Sequence, residues 1–173
     1  MKERIRRECF PMECWNAYDC AKVKHSDIKQ VRKGSGLPYF VHPKEVAKIV
    51  MDNGGTIDQI CAALLHDTIE DCPTTDQELK IRFGEHVASL VRELTNQRYK
   101  IEEMGKEAYM SDKLMKLSNE ALLIKLADMR ANITDNPTEA QEVRMLKNVA
   151  HLIQNRYDLT ENTLKLAVQV FGE

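Results

Sequence analysis

Ile60-Cys61-Ala62-Ala63-Leu64-Leu65-His66-Asp67-Thr68-Ile69-Glu70-Asp71 is the stretch on which the fold turns. Six apolar residues, Ile60 to Leu65, run without a break into four side chains that ionise or bind metal, His66, Asp67, Glu70 and Asp71. An apolar run of this kind heads for a core, where an unpaired carboxylate costs roughly several kcal/mol. A divalent cation is the natural compensator for an adjacent His and Asp. The plainer reading is a helix end with solvated acids and a hydrogen-bonded histidine. Thr56 with Gln59 three positions on has the pattern of a capping box, so a helix is expected from there to Asp71 or Cys72, where Pro73 stops it. On such a helix, positions four apart share a face. His66 and Glu70 would then stack on one side, and Asp67 and Asp71 on an adjacent one.

The punctuation on either side reads as further helices with short breaks. Glu13 to Val31 is a candidate helix ending near Lys33-Gly34-Ser35-Gly36-Leu37-Pro38. Pro43 suits the first turn of a helix that runs to Met51 and stops at Asn53-Gly54-Gly55. Thr75 and Glu78 make a second capping-box pattern before Leu79, and Gly84 breaks that helix. Val87, Leu90, Val91 and Leu94 recur at helical spacing. Residues 96 to 106 read as a polar connection. Helices are expected near Tyr109 to Leu117 and over Glu120 to Ala131. Another is capped by Asn136, with Pro137 at its first position, and runs to about Asn155; the last opens at Asp158 and Glu161. No segment alternates as a strand would, and no internal repeat is visible. The expectation is one all-α domain over residues 1–173.

Composition bounds the function. The chain has 173 residues, 43% of them hydrophobic, with seven Gly and five Pro, which suits one helical core. A net charge of −2 provides no global basic field for nucleic acid or an acidic membrane, so neither is an expected partner. An anionic ligand needs a local constellation. The five cysteines, Cys9, Cys14, Cys20, Cys61 and Cys72, form no C-x-x-C pair and read as free thiols of a reducing compartment. No stretch approaches the roughly 18 apolar residues of a membrane span. The basic start is interrupted by acids and no apolar segment follows it, so a cytoplasmic protein is expected.

Two further pieces matter. In Tyr39-Phe40-Val41-His42-Pro43, the proline restricts the backbone of His42. Taken alone, His42 fits a capping or packing histidine. In Ile124-Lys125-Leu126-Ala127-Asp128-Met129-Arg130-Ala131-Asn132, Asp128 follows an apolar stripe and Asn132 lies four residues on. Taken alone, Asp128 fits a salt-bridge partner of Lys125 or Arg130.

Together the three pieces, His42, then His66-Asp67, then Asp128, resemble the signature of the HD superfamily of metal-dependent phosphohydrolases. The surrounding words sharpen the resemblance: Arg32-Lys33-Gly34-Ser35-Gly36-Leu37-Pro38-Tyr39-Phe40-Val41-His42-Pro43, Ala62 to Asp71, Phe83-Gly84-Glu85-His86-Val87-Ala88, and Lys125-Leu126-Ala127-Asp128. These look like the hydrolase domain of Rel/Spo-type stringent-response enzymes over roughly residues 22–152, and most like the stand-alone small alarmone hydrolases.

The resemblance implies a helical HD-domain bundle. It also implies one Mn²⁺ ion held by His42, His66, Asp67 and Asp128. Glu70 and Asp71 match the acidic pair that activates the attacking water. Arg32 matches the residue that stacks on the purine, Lys33 stands near the phosphates, and Asn132 hydrogen-bonds ribose or phosphate. Arg98 is a looser candidate for a phosphate contact. The implied reaction removes pyrophosphate from the 3′ position of guanosine tetra- or pentaphosphate, a small-molecule nucleotide, leaving GDP or GTP. The oligomeric state is open. Met129 departs from the family, which often has Arg directly after the last metal-binding Asp, and this puts a substrate contact in question. Two alternatives stand beside this reading. One is another HD phosphohydrolase acting on (p)ppApp, NADPH or nucleotides. The other is a nucleotide sensor that no longer cleaves.

Overall fold

The computed structural model describes residues 5–172, so the charged start Met1-Lys2-Glu3-Arg4 lies outside the described residues. Two 3-10 turns, Arg7–Cys9 and Met12–Cys14, lead into α1 (Trp15–Asp27), α2 (Val41–Asp52), α3 (Ile57–Leu65), α4 (Thr68–Asp71), α5 (Asp76–Phe83) and α6 (Glu85–Leu94). Then come α7 (Arg98–Met104), α8 (Lys106–Lys116), α9 (Asn119–Ile133), α10 (Glu139–Asn155) and α11 (Glu161–Val170). Among the described residues, the extended pairing is confined to an isolated bridge between Val31 and Pro38. The architecture is all-α, as the sequence leads one to expect. The chain separates into two compact units, Met1–Thr95 and Asn96–Glu173.

In the first unit α3 is the central element, packed against α1, α2 and α6. Every residue from Gln59 to Leu65 is buried, which explains why its apolar run has no polar face. The capping box at its start is complete. The Gln59 N–H donates to Thr56 Oγ1 at 3.2 Å, and the Thr56 N–H donates to Gln59 Oε1 at 2.9 Å. Before it, Gly54 takes the left-handed backbone (φ +78°) that glycine adopts without strain. Gly55 is different: a Cβ there would sit 2.3 Å from Val50 Cγ1 and 2.9 Å from the Val50 carbonyl oxygen. The close return of the chain onto α2 therefore requires glycine. We expect Gly55→Ala to destabilise the fold by about 1–3 kcal/mol, read as a lower urea midpoint with an unchanged slope.

The structure differs from the expected helix over Thr56–Asp71 at one point: α3 stops at Leu65 and α4 starts anew at Thr68. Two side chains take the carbonyls that would continue the ladder. The imidazole of His66 meets the Ala63 carbonyl at 2.7 Å, and the Thr68 hydroxyl donates to the Leu65 carbonyl at 2.7 Å. The stacking of His66 over Glu70 on an unbroken helix therefore does not occur. Thr75 caps α5 through the Glu78 N–H at 3.1 Å, but the reciprocal half of that box is missing. The Glu78 carboxylate instead binds Lys24 at 3.0 Å. α1 ends at Asp27, before the expected Val31.

In the second unit α9 packs on α11, and α10 packs on α8 and α11. The expected polar connection over 96–106 is in fact helix α7, none of whose residues is buried. Its amphipathic signal is therefore weak, and Gly105 (φ +80°) ends it. α10 is capped by Thr138 in a box with Gln141, not by Asn136, which sits at φ +52° outside the helix. α11 is capped by Thr160, whose hydroxyl accepts from the Thr163 N–H. Asp158 instead pairs with Arg156. Among the described residues, no helix is long and apolar enough to cross a membrane.

Candidate functional site

The first unit brings three of the expected metal-binding residues together. His42 lies in the first turn of α2, where Phe40 and Pro43 set the entry of the helix, and it is buried. His66 is the C-cap of α3, also buried, and Asp67 follows it directly. The His42 and His66 ring centroids are 5.3 Å apart. Asp67 Oδ2 is 3.0 Å from His66 Nε2 and 3.9 Å from His42 Nε2. The hydrogen bonding of His66 fixes its chemistry. The Ala63 carbonyl only accepts, so Nδ1 carries the proton toward it and leaves the Nε2 lone pair 3.0 Å from Asp67 Oδ2. A ring nitrogen and a carboxylate oxygen at 3.0 Å need a positive centre shared between them. With metal–donor bonds near about 2.1 Å, donors of one ion lie roughly 3–4 Å apart. The two imidazoles and the carboxylate thus fit a divalent cation in chemistry and spacing.

Tyr39 is the residue that the sequence did not single out. Its hydroxyl donates to Asp67 Oδ2 at 2.6 Å, which orients that carboxylate. Its ring packs between His25 and His42, at centroid separations of 4.9 and 5.8 Å. The guanidinium of Arg32 lies over the other part of this assembly, 5.6 Å from the Tyr39 ring centroid. Arg32 is held by a tight turn: its N–H donates to the Leu37 carbonyl at 2.8 Å, and the Gly36 N–H donates to the Arg32 carbonyl at 2.9 Å. Lys33 is exposed on the same turn. Glu70 is half-buried and Asp71 exposed on α4, one turn beyond Asp67. The Asp71 N–H donates to the Asp67 carbonyl at 2.9 Å, which ties the acidic pair to the His66-Asp67 segment.

The second unit carries the remaining candidates. Asp128 is buried on α9. Asn132 donates to its Oδ1 at 2.7 Å, and Lys125 to its Oδ2 at 2.7 Å. The expectation that Asp128 has a lysine partner is met, while Arg130 turns away and donates to the Gln169 carbonyl. Arg130 therefore closes the end of α11 and does not substitute for the arginine missing at Met129, which is buried. Arg98 is exposed at the first position of α7. A cavity in this unit is lined by Lys106, Lys147, Asn148 and His151 among others. The sequence presents these as scattered surface charges, because they come from two helices some forty residues apart.

The sequence matches the family model of the HD domain over residues 17–157. The chain belongs to the HD domain family. It is 42% identical over 130 residues to a protein of Aquifex aeolicus named guanosine-3′,5′-bis(diphosphate) 3′-pyrophosphohydrolase, covering 70% of this chain and 17% of that one. It is 38% identical over 121 residues to the human guanosine-3′,5′-bis(diphosphate) 3′-pyrophosphohydrolase MESH1, covering 69% of this chain and 66% of that one. The first curated relatives are thus much longer: this HD domain chain spans only 16–17% of their length. A solved structure described as a metazoan ortholog of SpoT that hydrolyses ppGpp superposes with a TM-score of 0.77. The two are 26% identical, and the match covers 94% of this chain and 96% of that one.

Proposed function

We propose that this HD domain is a hydrolase of guanosine 3′,5′-bis(diphosphate) and its 5′-triphosphate analogue, cleaving the 3′-pyrophosphate with one Mn²⁺ ion. The observation that carries the reading is the pairing of His66 Nε2 with the Asp67 carboxylate at 3.0 Å beside His42. The names of relatives at 38–42% identity support the substrate. His42, His66 and Asp67 would hold the ion together with Asp128, the whole chain acting as a single hydrolase domain. Two imidazoles and two carboxylates suit a borderline-hard cation that works on phosphate. When bound, the ion supplies polarisation of a phosphoryl oxygen and acidification of a water.

The chain's own residues account for the rest. Glu70 and Asp71 orient the water and take its proton. The water oxygen bonds to the ester phosphorus, the bond from that phosphorus to the ribose 3′ oxygen breaks, and the 3′ oxygen leaves with a proton. The products are pyrophosphate and GDP or GTP. Tyr39 holds Asp67 in place through its hydroxyl. Arg32, already over an aromatic face, offers a guanidinium plane to the purine. Lys33, Asn132 and Arg98 offset the substrate's charge.

A turnover screen of ppGpp, pppGpp, ppApp and NADPH with Mn²⁺ tests this. Pyrophosphate and GDP from ppGpp are the expected products. Release of orthophosphate instead, or turnover of NADPH with none of ppGpp, sinks the substrate assignment.

A further inference from the structure

The end of α1 folds back in a way that neither the metal nor the ligand set explains. Lys29 takes a left-handed backbone (φ +51°), and the Gln30 N–H donates to the His25 carbonyl at 3.3 Å. This turn lays the Gln30 side chain beside two partners. Gln30 Nε2 donates to Asp71 Oδ2 at 2.8 Å, and Gln30 Oε1 lies 2.7 Å from His25 Nδ1.

Only one arrangement of protons satisfies both contacts. A carboxylate accepts and does not donate, so the amide NH₂ must face Asp71. The amide oxygen then faces His25, whose Nδ1 must carry the proton. His25 is buried, and burial holds its pKa below the ordinary histidine value, so the ring is neutral with that single proton on Nδ1. Cys72 Sγ, 3.5 Å from the same nitrogen, does not compete for it as a thiolate: burial and then Asp71 push that thiol up to about 11. The His25 ring is in turn held against Tyr39.

We propose that Gln30 is a positioning residue for Asp71, and that His25 steadies the Gln30 amide from its oxygen side. This rests on the reading of Asp71 as a water-handling acid. Asp71 is exposed on a single-turn helix, and a carboxylate there would otherwise swing between rotamers. The Gln30 amide removes that freedom while leaving Asp71 Oδ1 for the water. The amide also donates without carrying charge, so it orients the carboxylate without pairing it off as a lysine would.

The test uses the full chain with Mn²⁺ and ppGpp. Gln30→Leu keeps the size of the side chain and removes both polar atoms. It is expected to lower kcat roughly ten- to a hundredfold, as loss of a supporting hydrogen bond does elsewhere. KM should stay within about twofold and the melting temperature within a few degrees. In an Asp71→Asn background the same substitution should add nothing, since its effect runs through Asp71. Unchanged kcat in Gln30→Leu, or losses that simply multiply in the double variant, overturns the proposal. The contact itself is read independently of turnover from the Gln30 side-chain amide resonances. They should shift on Asp71→Asn and on His25→Ala, and an unmoved signal overturns the contact. A protein that shows these shifts yet cleaves no ppGpp would sink the substrate assignment and leave the Gln30–Asp71 contact standing.

Discussion

The double variant Glu70→Ala, Asp71→Ala is expected to bind Mn²⁺ as the parent does and to lose hydrolysis by roughly a hundred- to ten-thousandfold, the range for removing a general base. The two acids stand outside the expected ligand set and occupy α4, a single turn that is half-buried at Glu70 and exposed at Asp71. Truncating them leaves no core cavity. The buried side chains nearby, Thr68 and Leu65, keep their own contacts, including the Thr68 hydroxyl bond to the Leu65 carbonyl. Folding stability should therefore hardly change. Calorimetric titration with Mn²⁺, run beside turnover of ppGpp, separates the two effects. Undiminished turnover refutes the role given to the acids. Loss of Mn²⁺ binding would instead make them part of the metal site. The single variants apportion the role. Asp71→Ala also strips Gln30 of its partner, whereas Glu70→Ala leaves that contact intact.

Much of this was legible in the sequence, and the part that was not has a physical pattern. The unbroken apolar run Ile60–Leu65 and the Thr56–Gln59 spacing placed α3, because burial and capping act within a few residues of each other. His42, His66 and Asp67 were marked as expected ligands by the resemblance to the HD superfamily, while one proline and one apolar run explain where the two histidines stand in their helices. The break at His66 was hidden, since it arises from side chains competing for carbonyls and not from any breaker residue. Asn136 misled because an N-cap residue followed by proline is a strong local signal. The Thr138–Gln141 box satisfies two backbone donors and won. Tyr39 and His25 depend on partners far along the chain, 28 residues to Asp67 for Tyr39 and 47 to Cys72 for His25. His25 stands among Lys24, Ser26 and Asp27 in sequence, which suggests a solvated face, yet its ring is turned inward.

Chelation and the substitution Asp67→Asn should have the largest effect of all. Protein stripped with EDTA is expected to turn over no ppGpp and to recover fully with Mn²⁺. Asp67→Asn should bind Mn²⁺ more than about a hundredfold more weakly and fail to recover, because a lost ligand costs more than a lost supporting contact. Asparagine suits the purpose because it preserves the shape of the site. The Tyr39 hydroxyl can donate to its amide oxygen as it does to the Asp67 carboxylate, so the tyrosine is not left without a partner. What disappears is the negative charge 3.0 Å from His66 Nε2. If that charge served only to pair with a protonated histidine, the variant would lose some stability and keep its activity and metal content. If it holds a cation, metal per chain falls along with turnover, while the helices on either side, capped at Thr56 and Thr75, stay folded. Measuring bound manganese by atomic absorption beside the circular dichroism melt distinguishes the two. Full activity in Asp67→Asn, or in the EDTA-treated parent, refutes the metal centre.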